Sequence, residues 1–192
     1  MLTHFIKSIN WVDVVLAALF IRVIFISVQK GFITEVFKLF GVIVAVFVSL
    51  HYFALYAALC AKSVPIPQPV LEFIIFVSLW GLITLAFKFL RDGVLLVFKI
   101  ETTNKGFDQY ASGILAVGRA LLLCSMVIFT LLLTRQDGLG HMTLNSFGYR
   151  IAGKAAPGTY AFLQNNLIGK LFAGEHYNSA VPEVLRGKVK VN

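Results

Sequence analysis

The sequence predicts an all-α, polytopic membrane protein with four transmembrane helices and amphipathic interfacial segments, and three observations carry that prediction. Of 192 residues, 58% are hydrophobic and the mean hydropathy is +0.84, well above the roughly 45–50% apolar content of soluble domains. Charged residues make up only 14%, against about 25% in ordinary proteins. They fall in short clusters between apolar runs, each close to the roughly 20 residues that cross a bilayer.

The first run is residues 11–28, with Trp11 as an interfacial anchor and Arg22 near its end, where a long stem can snorkel to the headgroups. It runs into Gln29, Lys30 and Gly31 without a small-residue cleavage pattern, so it reads as a span and not as a cleavable signal peptide. The second span is 39–61, containing His51 and entered through an interfacial turn over residues 32–38. Pro65, Pro67 and Pro69 stop it, because prolines remove amide donors and force extended geometry.

The third span is 70–90, with Glu72 near its start and Lys88 and Arg91 at its end, which suits both the helix dipole and headgroup anchoring. Glu72 reads as interfacial. Residues 92–107 mix apolar side chains with Lys99, Glu101 and Lys105, the pattern of an amphipathic segment at the membrane surface. The fourth span is 112–134, carrying Arg119 about two turns in, and Arg135, Gln136, Asp137 and Gly138 close it.

A boundary at residue 135 thus separates a four-span membrane domain, 1–135, from an amphipathic, partly flexible tail, 136–192. Nothing in the tail is long enough to span. Phe162, Leu163, Leu167, Ile168, Leu171 and Phe172 recur at helical spacing and predict a helix lying on the surface. The last ten residues read as loose.

The net charge of +8 is spread over connections and tail rather than along one stripe, which argues for a lipid bilayer as the partner and against nucleic acid. Lys30, Lys38, Lys88, Arg91, Lys99 and Lys105 flank the first and third connections, whereas Lys7 and Lys62 serve the other side. That balance places those two connections in the cytoplasm and both termini outside, with Arg135, Arg150 and Lys154 opposing it. Cys60 and Cys124 sit inside apolar runs as small hydrophobes.

Two stripes of small residues give flat helix faces: Gly41, Ala45 and Ser49 on the second span, and Ser112, Ala116, Ala120 and Cys124 on the fourth. They fit packing within the monomer or oligomerisation. Arg119 demands a partner or a short reach to the interface, since a charge inside a span costs at least about 2.5–3.5 kcal/mol; Asp13, Glu35 and Asp108 are the candidate partners. His51 reads as a hydrogen-bonded packing residue more readily than as a proton relay, for which no second ionisable group stands at matching depth. Nucleotide, zinc-protease, redox and hydrolase motifs are missing, and the isolated Ser27-x-x-Lys30 lacks its companion motifs. No catalytic residue, metal or cofactor is expected.

Several of these residues form a recognisable pattern. Asn10-Trp11-Val12-Asp13 opens the first span, Lys30-Gly31-Phe32 leads to Glu35, and Asp108 precedes Ser112, Ala116, Arg119 and Ala120. Over about residues 8–135 the chain resembles the colicin V production (CvpA-type) family of bacterial inner-membrane proteins. Ser27, Ser112, Ala116 and Ala120 stand where that pattern has glycines, and Val28, Gln29 and Gln109 where it has basic residues. The resemblance implies a four-span inner-membrane protein associated with production or export of a peptide toxin, or more broadly with envelope homeostasis. It singles out Asp13, Lys30, Gly31, Phe32, Glu35, Asp108 and Arg119.

The leading expectation is therefore a non-enzymatic accessory membrane protein, partnered by itself as a homo-oligomer or by secretion or envelope proteins. The rival is a small oligomeric transporter or channel built around Arg119 and His51. A membrane-bound enzyme has no identifiable site behind it.

Overall fold

The computed structural model describes residues 10–29, 31–98, 105–172 and 176–185. Four helices are long and apolar enough to cross a membrane: α1 (Trp11–Val28), α2 (Phe32–Ala61), α3 (Gln68–Phe98) and α4 (Lys105–Leu133). The tail holds α5 (Asp137–Leu144), α6 (Phe147–Ala152) and α7 (Ala155–Leu163). A π turn (Gln164–Ile168) carries α7 into α8 (Gly169–Leu171), and α9 is Ala180–Leu185. No strand occurs among the described residues.

Helix boundaries follow from capping. Asn10 opens α1, its side-chain oxygen accepting from the Val12 amide at 3.1 Å, with Asp13 in the first turn as the dipole favours. α2 begins at Phe32, so residues 32–38 are its first two turns and not a separate interfacial turn. Likewise α3 runs on to Phe98 and α4 starts at Lys105, which makes helix of most of the segment expected to lie on the membrane surface. A helix satisfies its own backbone once begun, and no proline interrupts residues 70–98. At 31 residues, α3 rises about 46 Å, beyond the roughly 30 Å hydrocarbon core.

α2 and α4 form the centre of the bundle, α3 lies along α2, α1 lies along α4, and α3 meets α4 only slightly. Phe53 is the hub: its ring meets Phe76 of α3 and Phe129 of α4 edge-on, at centroid distances of 6.0 and 5.8 Å. Ile21, Phe25, Leu82, Phe89, Leu96 and Ile114 are exposed on the outer faces. Such an apolar shell is unstable in water and at home among acyl chains.

The tail folds back onto this bundle. Ala152, Ala156, Tyr160, Val181 and Val184 belong to the same buried cluster as Leu16, Leu50 and Met126. Ser125 of α4 fixes the return: its hydroxyl accepts from the Ala156 amide at 2.9 Å and donates to the Gly153 carbonyl at 3.3 Å. Within the tail Phe162, Leu167, Leu171 and Phe172 are exposed, forming an apolar face suited to lipid. Lys30, Lys99 and Glu101, and residues 186–192 of the stretch read as loose, lie outside the described residues.

Candidate functional site

The charge cluster at the start of α2 is assembled from three helices. Glu35, in the first turn of α2, is 0% exposed, and a bare carboxylate there would cost several kcal/mol, on the order of the buried-ion penalty. Two cations answer it. Lys38, one turn on, forms an ion pair with Oε1, and Nε of Arg119 lies 3.1 Å from Oε2. The Arg119 contact is an ion pair without an aligned hydrogen bond. Its hydrogen bond goes instead from Nη2 to the Ser27 hydroxyl of α1 at 2.7 Å, which in turn donates to the Val23 carbonyl at 2.6 Å.

Of the three candidate partners for Arg119, the fold selects Glu35. α4 starts at Lys105, so Arg119 is the midpoint of a 29-residue helix and lies level with the first turn of α2, which carries Glu35. Ser27 and Lys38 join the cluster without having been singled out as its members. Lys38 carried a signal, its i,i+3 spacing from Glu35; Ser27 carried none beyond its place at a span end.

Asp108 has a separate task in the same region. Its Oδ1 accepts the Phe32 amide at 2.8 Å, capping α2 from a different helix, since Gly31 supplies no side-chain cap. Gly31 has φ +82°, and a Cβ built there would stand 2.7 Å from Asp108 Oδ2. The Gly31-Phe32 pair is therefore a junction that admits the Asp108 carboxylate against the backbone.

Asp13 stands apart from that junction. Its carboxylate caps α6, accepting the Gly148 amide at 2.7 Å and the Phe147 amide at 3.2 Å. The small-residue stripes are buried inside the chain: Ala45, Ser49, Ser112, Ala116 and Ala120 are all fully covered. At Gly41 an added Cβ would be 2.8 Å from Phe87 Cβ, so its absence lets α3 approach.

Two polar anchors were not legible at this level of detail. Glu72, expected at the interface, is buried and pairs with Arg135, which lies two residues past the end of α4 with a left-handed φ of 52°. His51 Nδ1 lies 3.0 Å from the Tyr160 hydroxyl, which also accepts the Asn178 amide at 2.9 Å. Asn178 Nδ2 donates to the Leu50 carbonyl at 2.8 Å. The partner for His51 thus comes from the tail, 109 residues away.

Among the described residues, no group of three or more His, Cys, Asp or Glu could hold a metal ion. Arg119 and His51 line different cavities, the first with Lys38, Lys88 and Arg91, the second with Tyr177 and Asn178. What the arrangement does chemically is neutralise and fix charge between helices.

No curated protein and no solved structure matches the chain. Residues 12–157 match the family model described as Colicin V production protein, a stretch that contains the Gly31-Phe32 junction, the Glu35 and Arg119 ion pair, Asp108 and the four spans; the chain belongs to the colicin V production protein family.

Proposed function

We propose that this chain is a non-enzymatic accessory protein of the bacterial inner membrane, supporting peptide-toxin production and secretion or envelope homeostasis. The observation that carries the reading is the closed state of its buried charge: Arg119 is committed to Glu35 and Ser27. A guanidinium held in this way braces α1, α2 and α4 and presents a rigid bundle face to other membrane proteins or to a second copy. Family membership supports the same reading, and the separation of Arg119 from His51 in different cavities weighs against the channel alternative.

The test is genetic and biochemical together. Removal of the chain from its host is expected to lower release of a peptide toxin or to sensitise the envelope to detergent, and the wild-type chain restores the phenotype while Glu35→Ala does not. Solute flux through vesicles reconstituted with the purified chain, abolished by Arg119→Ala, would overturn the accessory reading in favour of a channel.

A further inference from the structure

The cavity of about 240 Å³ between α2, α3 and α4 is lined by Lys38, Thr84, Lys88, Arg91 and Arg119 together with apolar side chains. Four cations share one small space there, and among the described residues Glu35 and Asp92 form ion pairs with Lys38, Arg91 and Arg119. Glu35 pairs with Lys38 and Arg119. Asp92 pairs with Arg91, but its side chain is 50% exposed, so solvent screens its charge. Among the described residues no ion pair or hydrogen bond is found for Lys88. The Thr84 hydroxyl is spent on the Trp80 carbonyl at 2.7 Å, which leaves charged donors to dominate the polar lining.

The geometry points to an anion site for a phosphate group between α2, α3 and α4. Thr84, Lys88 and Arg91 recur at helical spacing on one face of α3, facing Lys38 and Gly41 of α2. Arg91 stands near enough to Arg119 for their charges to repel, a repulsion that an anion bound between them offsets. The volume falls below the roughly 300–1,000 Å³ of drug-sized ligand sites and suits a headgroup. Basic pockets between spans at the cytoplasmic boundary are where anionic lipid headgroups bind, and the Lys and Arg balance of the connections favours that side for this end. An acyl chain would run down the exposed apolar surface of α3 at Leu85 and Phe89. Soluble phosphate is the other source of the same chemistry.

The full chain in nanodiscs of phosphatidylcholine, with and without phosphatidylglycerol, tests this by native mass spectrometry of retained lipid and by melting temperature. Phosphatidylglycerol is expected to be retained and to raise Tm, with apparent affinity falling roughly fivefold for each of Lys88→Gln and Arg91→Gln. Lys88→Arg restores it, and Lys170→Gln on the exposed surface of α8 changes nothing. Inorganic phosphate raising Tm in phosphatidylcholine discs, with the same dependence on Lys88, keeps the site and assigns it to a soluble anion. No retention and no stabilisation by either probe, or a loss reproduced by Lys170→Gln, overturns it. Lys88 is exposed and without an ion pair among the described residues, so its variants fold and the result stays interpretable.

Discussion

Asp108 accepts the backbone amide of Phe32 at 2.8 Å across 76 residues of chain, and the same carboxylate's other oxygen occupies the space where a Cβ of residue 31 would stand. The start of α2 is therefore held by α4 and not by its own sequence. Gly31→Ala meets two costs at once, a positive φ and a steric clash, and is expected to destabilise the solubilised chain by about 1–3 kcal/mol. Asp108→Asn keeps an acceptor and is expected to cost less, about 0.5–1 kcal/mol. Thermal melting of both variants in detergent checks the order; Gly31→Ala melting with the wild type would show that the junction relaxes freely.

The Glu35 cluster predicts an asymmetry. Loss of Arg119 leaves Glu35 with Lys38, whereas loss of Glu35 removes the carboxylate that pairs with both Lys38 and Arg119. Glu35→Ala is expected to cost about 3–5 kcal/mol, and Arg119→Ala less. Replacing both by apolar residues, Glu35→Leu with Arg119→Met, recovers most of the loss. Yields of folded protein and melting temperatures report this; additive losses in the double variant would show that the two groups do not interact.

Gly41 separates a packing role from a charge role. Gly41→Ala places a methyl against Phe87 Cβ and Cγ, at 2.8 and 2.9 Å, and overpacking of that kind costs about 1–3 kcal/mol. If Gly41→Ala alone is neutral by thermal melting, α3 is free to shift.

A few hydrogen bonds supplement the apolar packing that docks the tail. Tyr160→Phe removes the acceptor for the Asn178 amide and the hydroxyl beside His51 Nδ1, at about 1–3 kcal/mol for the hydrogen bonds lost. It keeps the ring that packs 5.6 Å from Phe47, so the four spans stay assembled. Faster thiol modification of Ser179→Cys in the Tyr160→Phe background is the expected sign, and unchanged labelling would show the latch to be unimportant.

Orientation is measurable with the same chemistry. In a Cys60→Ala/Cys124→Ala background, single cysteines at Ser63 and Ser179 are expected to react with a membrane-impermeant thiol reagent on intact cells, and one at Lys99 to stay protected. Reaction at Lys99 alone would invert the topology and turn the tail toward the cytoplasm.

The sequence by itself determined the class of molecule and the number of spans. Four apolar runs, the stop at Pro65, Pro67 and Pro69, and the N-terminal Trp11 anchor are local signals, because burial in lipid acts on each segment separately. It also narrowed the partners of Arg119 to three carboxylates, since a charge inside a span must be answered or reach the interface. Only the tertiary structure decided among them. Asp13 caps α6, Asp108 caps α2, and Glu35 takes the guanidinium, assignments that depend on how helices far apart in sequence lie beside one another. For the same reason the sequence predicts only the surface helix around Phe162 to Phe172 in the tail and not the parts that the fold buries at Ala152, Ala156, Tyr160, Val181 and Val184. That burial is anchored by Ser125, His51 and Leu50 on α4 and α2, and hydrogen bonds that span 31 to 128 residues leave no period in the sequence.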